Sequence, residues 1–118
     1  MSKSVFNRGD IIRVTLNPVS GRELQGDYRP CLVLSSSRFN RLGTTLIAPI
    51  TQGGSIASEF GFAIPLQGSG TETQGVVLVN HCRMMDVRPR KAQRIERVPD
   101  RIIIEALARL AAIVEYDG

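Results

Sequence analysis

The chain has 118 residues, of which 42% are hydrophobic and 22% are charged, and its formal net charge is +4. This length fits one domain, residues 1–118, that buries roughly two-thirds of its unfolded surface. No apolar run approaches the ~20 residues that a membrane span requires, and "MSKSVFNRGD" lacks the apolar centre of a signal peptide. The two cysteines have neither a metal-site spacing nor a disulfide pattern, so we expect a reducing, cytoplasmic setting.

The first half of the chain predicts strands separated by turns. Residues 9–17, "GDIIRVTLN", alternate with Ile12, Val14 and Leu16 on one side, which indicates a half-buried strand. A long connection follows over 17–28, and loops of about a dozen residues are often functional. "PCLVLSS" and "TTLIAPIT" predict two further strands, with "SRFNRLG" as the turn between them.

The second half predicts more strands and one helix. "EFGFAIPL" is a strand between Gly/Ser/Thr-rich loops, and "GVVLVNHCRMMD" begins as a strand and loses regularity near His81. Apolar residues then recur at helical spacing: Ile103, Ala106, Leu107, Leu110 and Val114. Pro99 and Asp100 suit the first turn of this helix, whereas Val98 would be a poor N-cap. The prediction is a small barrel-like α+β domain, with five to seven short strands closed by a C-terminal helix.

An arginine stands at the beginning of the second predicted strand. Pro30 biases Arg29 towards extended backbone, and Glu23 in the preceding loop is close enough in sequence to reach it. The pair fits a structural ion pair as well as one half of an active site.

Basic residues also cluster towards the C-terminal end, within fifteen positions: Arg83, Arg88, Arg90, Lys91, Arg94 and Arg97. A solvated basic face and a track for a phosphate backbone both explain such a cluster. The absence of Trp argues against a nucleic-acid reader that depends on stacking.

Four blocks resemble the MazF/PemK family of toxin endoribonucleases, in order and over essentially the whole chain: "GDIIRVTLNP", "GRELQGDYRPCLVLS", "LIAPITQGG" and "GVVLVNHCRMMD". The resemblance implies a mainly β SH3-like barrel of the CcdB/PemK/MazF type, with a terminal helix and usually as a homodimer. It implies cleavage of single-stranded RNA, commonly mRNA, at short sequences without a metal or other cofactor. It also implies inhibition by a MazE-like antitoxin whose acidic, flexible tail lies in the RNA groove.

Three residues carry over to the family's catalytic positions: Arg29 of the "RP" block, Thr51 of "PIT" and the loop residue Glu23. Metal-free cleavage uses the 2′-OH as the nucleophile and leaves a 2′,3′-cyclic phosphate and a 5′-OH. Arg29 supplies a fork of donors for phosphoryl oxygens and Thr51 a hydroxyl donor. Glu23 either takes the 2′ proton or orients Arg29.

The remaining candidates are assigned to RNA binding. Some relatives carry an Asp proposed as the catalytic base where this chain has Asn80, which is not a base at neutral pH, so we assign Asn80 to substrate contact. His81 is either structural or an aid to proton transfer. Gln52 suits an adenine edge and Arg83 a flanking phosphate.

Two other functions fit the same fold. One is a CcdB-like gyrase poison, which is not an enzyme and which relies on a Trp that this chain lacks. The other is an inactive SH3-like binding module. Incubation of the protein with a long RNA separates both from a nuclease.

Overall fold

The computed structural model of the protein describes residues 5–16, 28–52 and 61–117. Its strands are β1 (Asp10–Thr15), β2 (Tyr28–Val33), β3 (Thr45–Thr51), β4 (Ala63–Pro65), β5 (Val76–Leu78), β6 (Arg83–Met85) and β7 (Gln93–Arg97). The helices are the single turn α1 (Ser37–Asn40) and the C-terminal α2 (Asp100–Val114). Within the described ranges, no helix is both long enough and apolar enough to cross a membrane.

The strands form one antiparallel sheet in the order β4-β5-β3-β2-β1-β7, with β6 also paired to β3. Strand β3 changes partner along its length, since Thr45 pairs with Met85 of β6 whereas Thr51 pairs with Val76 of β5. A strand shared in this way bends the sheet around itself. The predicted small, mainly β barrel with a C-terminal helix is confirmed.

Both faces of the sheet are covered, which explains why β1 is buried at every position but one. Successive side chains of a strand point to opposite faces. Ile11 and Leu32 therefore belong to the cluster that packs against α2, whereas Ile12 and Val33 belong to a second cluster on the other face.

The helix lies where its sequence predicts, and Ile103 of the predicted stripe packs against the core, but the stripe omits one of the two most deeply buried residues of the helix. Ile102 is fully buried, as is Ala106, and burying an Ile side chain contributes about 1.5–3 kcal/mol. Val114, predicted to lie on the stripe, is 72% exposed, so that prediction is wrong. The helix begins after Pro99, and the residues of its last turn are exposed.

The basic run near the C-terminal end contains a strand, β7, that its pattern does not predict. Guanidinium groups of the basic run bind other parts of the fold. Arg94 lies 3.0 Å from the buried carboxylate of Asp10. Arg90 donates to two carbonyls at the end of β1, at 3.0 and 2.7 Å. Much of the run therefore fastens β7 and the turn before it to β1.

Candidate active site

A cleft of about 620 Å³ opens where β2 begins and β3 ends. Three residues predicted for the site line it: Arg29, Thr51 and Gln52. The remaining lining residues are Arg13, Tyr28, Pro30, Ile50, Glu72, Thr73, Gln74 and Ile95. A guanidinium and a hydroxyl from separate strands thus face one solvent-filled space.

The register of the sheet explains why these two groups meet. Cys31 pairs with Pro49 in the β2–β3 ladder, and continuing that register by two residues places Arg29 opposite Thr51. Directly opposed residues of an antiparallel pair share a face and have Cβ atoms about 4.5–5.5 Å apart. The ends of β2 and β3 therefore bring Arg29 and Thr51 to one cleft.

Cys31, two residues after Arg29 on β2, carries a neutral thiol. The Cys31 S–H donates to the Arg29 carbonyl, with 3.8 Å between sulfur and oxygen. Burial raises the pKa of Cys31 to about 12, although the positive charges of Arg83 and Arg29 oppose the shift. The thiol is therefore protonated at neutral pH, and Arg83 approaches the same strand as Arg29.

Sequence reasoning missed one wall of the cleft, formed by Arg13 and Tyr28. The Arg13 guanidinium lies over the Tyr28 ring, 5.7 Å from its centroid. The Tyr28 hydroxyl is 3.1 Å from the Lys91 carbonyl oxygen and 3.2 Å from Oε1 of Gln93. Two signals were available: Arg13 is the charged position inside an apolar strand, and Tyr28 immediately precedes the "RP" block. With Arg29, Arg13 gives the cleft the positive charge that suits a phosphate chain.

The loop of Glu72, Thr73 and Gln74 also lines the cleft, and the sequence did not assign it to the site either. Glu96 of β7 holds it: its carboxylate accepts the Glu72 N–H at 3.1 Å, and the Thr73 N–H and hydroxyl at 2.7 Å each. Partial burial acts to raise the pKa of Glu96, but these hydrogen bonds outweigh it and lower that pKa. The anchor is therefore ionised at neutral pH.

The other candidates lie elsewhere. Asn80 and His81 are exposed on a 3₁₀ turn, Val79–His81, which follows β5 at the end away from Thr51 and contacts β3 and α2. Neither is among the described residues that line the cleft. Glu23 lies outside the described residues.

Comparison with known proteins places this architecture in a family. Residues 7–114 match the family described as PemK-like, MazF-like toxins of type II toxin–antitoxin systems. The chain belongs to this family. The resemblance of the four sequence blocks is thereby confirmed.

Curated relatives and solved structures agree with the assignment to the PemK/MazF family. The chain is 53% identical over 115 residues to the endoribonuclease toxin ChpB of Escherichia coli K12, covering 98% of this chain and 99% of ChpB. It is 42% identical over 113 residues to endoribonuclease PemK of Escherichia coli, covering 95% and 84%. MazF of Deinococcus radiodurans superposes with a TM-score of 0.80 at 29% identity, covering 97% and 100%. A MazE–MazF structure from the same organism gives 0.79 at 25% identity, covering 98% and 100%.

Proposed function

We propose that this PemK/MazF-family toxin is an endoribonuclease that cuts single-stranded RNA, including mRNA, and thereby inhibits translation and growth. The observation that carries the proposal is the cleft in which Arg29 and Thr51 stand at adjacent strand ends, beside the cation Arg13. The endoribonuclease names of ChpB and PemK support it.

The reaction needs no cofactor. The 2′-oxygen attacks the adjacent phosphorus and the bond from phosphorus to the 5′-oxygen breaks, giving a 2′,3′-cyclic phosphate and a 5′-OH. One proton leaves the 2′-OH and one reaches the departing 5′-oxygen, while negative charge builds on the non-bridging oxygens. Catalysis therefore consists of two proton transfers and charge stabilisation.

Arg29 and Thr51 supply the charge stabilisation. A guanidinium stays protonated at any physiological pH, so Arg29 acts through its fixed fork of donors rather than as a proton source. Thr51 donates a hydroxyl hydrogen bond from the end of β3, which is held by its pairing with Val76 of β5. Preorganised donors of this kind are worth about 10²–10³-fold each in rate.

Glu23 is the proposed general base, with orientation of Arg29 as the alternative role. The two roles separate in the pH–rate profile of Glu23→Gln. Loss of a base removes the acidic limb of the profile, whereas loss of an orienting contact lowers the rate and keeps the shape. His81→Gln tests the second proton-transfer candidate in the same way, since an unchanged profile removes His81 from the mechanism.

Gln52, Asn80 and Arg83 complete the proposed RNA contacts. Gln52 stands beside Thr51 in the cleft, where its amide suits an adenine edge. Arg83 is exposed on β6 and reaches a flanking phosphate, and Asn80 contacts RNA outside the cleft.

The proposed partners are a second copy of the chain and a MazE- or ChpS-like antitoxin with an acidic tail, all in the cytoplasm. The cations Arg13 and Arg29 attract such a tail to the surface that binds RNA. We infer a homodimer whose RNA groove spans both subunits. The homodimer should have a mass of twice 12.9 kDa. Full activity of a species with the monomer mass would contradict the proposed homodimer.

The deciding experiment is incubation of the purified protein with a long RNA in EDTA. We expect discrete fragments with 5′-OH and 2′,3′-cyclic phosphate ends. Arg29→Ala and Thr51→Ala should each slow cleavage by about 10²-fold or more, and Arg38→Ala, which removes an exposed cation from α1, should not. Intact RNA rejects the proposal, and intact RNA with trapped gyrase supports the CcdB-like alternative.

A further inference from the structure

A negative charge stands in the cleft that is proposed to bind a polyanion. Glu72 lines this cleft and is exposed. Its backbone is engaged, because the N–H donates to Glu96 and the carbonyl accepts from Nε2 of Gln74. Within residues 5–16, 28–52 and 61–117, however, its carboxylate makes no hydrogen bond or ion pair. The described part of the fold does not use this carboxylate, and phosphates repel it, which leaves the edge of a base as the part of RNA that suits it.

The loop that carries Glu72 is held at both ends and within itself. Glu96 binds its backbone from β7, and the Gly75 carbonyl accepts the N–H of Leu66 at 2.9 Å. The Thr71 hydroxyl donates to the Thr73 carbonyl, also at 2.9 Å. A loop fastened in this way presents its side chains in one arrangement, which selective recognition of a ligand requires.

Glu72 and Gln74 together present an acceptor beside a donor. Both residues line the cleft, and the Gln74 amide nitrogen lies 3.5 Å from the Glu72 carbonyl oxygen, so the Gln74 side chain turns back towards Glu72. The Watson–Crick edges of adenine and cytosine offer the complement, an amino donor next to a ring-nitrogen acceptor. Uracil and guanine instead place a carbonyl oxygen and an imino N–H there.

We propose that Glu72 and Gln74 select an adenine or cytosine at one position next to the scissile phosphate, and that Glu96 is the positioning residue for this loop. The inference rests on the proposed ribonuclease function and extends it to sequence specificity. In single-stranded RNA the base edges are accessible to such contacts. The Glu72 carboxylate accepts from the exocyclic amino group, and the Gln74 amide donates to the ring nitrogen.

The test is cleavage of an RNA library with all four bases at each position flanking the cut, read by sequencing the new ends. Wild type should prefer A and C over G and U at one position. Glu72→Leu and Gln74→Leu should each reduce that preference by about 5-fold or more, at that position and no other. Glu115→Leu removes the same charge from an exposed site after α2 and should leave every preference unchanged.

Glu96→Gln tests the positioning role separately. It should relax the preference at the same position, and its effect should not add to that of Glu72→Leu, because both changes disable one contact. A purely structural role for Glu96 instead lowers stability and leaves the base preference intact.

The outcomes distinguish the two proposals. If wild type cleaves RNA and Glu72→Leu and Gln74→Leu retain its full base preference, base selection by this loop is overturned and the nuclease stands. If wild type leaves RNA intact in EDTA, the proposed function itself fails.

Discussion

Gly75 joins the loop of the cleft to β5, the strand that pairs with Thr51, and the structure predicts a large effect of Gly75→Ala. The residue has φ of +120°, and an added Cβ would lie 2.5 Å from the Thr51 carbonyl oxygen and 3.2 Å from Cγ2 of Ile50. Backbone strain at such a φ costs about 1–3 kcal/mol. The steric clash adds about 1–3 kcal/mol, because the atom in the way is backbone that is paired in the sheet.

Gly70→Ala is the matched control. Gly70 has φ of +91°, but an added Cβ would meet no atom of the described residues within 4 Å. Its substitution carries the strain without the clash, so we expect a loss of about 1–3 kcal/mol in the free energy of unfolding. The difference between the two variants therefore isolates the contact with Thr51.

Urea unfolding followed by far-UV circular dichroism measures both losses, since the chain has no Trp to report by fluorescence. Cleavage rates supply a second readout. Gly75→Ala displaces Thr51 and should slow RNA cleavage, by about 10²-fold for a displacement near 1 Å, whereas Gly70→Ala should not. Equal stability losses in the two variants, or full activity in Gly75→Ala, would refute the reasoning.

Three further predictions concern single side chains. Arg94→Gln leaves the buried carboxylate of Asp10 without its cation and should cost about 1.5–3 kcal/mol in urea unfolding, whereas Arg38→Gln, at an exposed site, should cost under about 0.5 kcal/mol. The folded-state pKa of Glu96 is lowered from 4.5, so its stabilisation is fully present above that pH and is lost as pH falls through the folded value. The stability difference between wild type and Glu96→Gln should therefore shrink in unfolding curves taken from pH 6 down to pH 3, and a constant difference would contradict it. Cys31, buried with its pKa raised to about 12, should resist iodoacetamide at pH 8 until the protein unfolds, and peptide mass mapping of the native protein detects any exception.

Local patterns predicted much of the fold because each depends on neighbours in the chain. Alternation of apolar residues located β1, the segment "TTLIAPIT" located β3, and helical spacing located α2. The Pro that follows Arg29 placed that arginine on a strand. β7 escaped prediction because its polar and charged residues carry no apolar alternation, and it is a strand through its pairing with β1.

The amino-acid sequence by itself determined the class of domain, the family resemblance, and the presence of an arginine and a threonine at strand ends. Only the tertiary structure decided that Arg29 and Thr51 line one cleft, because register is set by pairing between strands distant in the chain. Only the tertiary structure likewise decided that Arg13 and the loop of Glu72 line this cleft, because they lie far apart in the sequence. Secondary-structure propensity depends on the residues of one segment, whereas an active site depends on how several segments pack together.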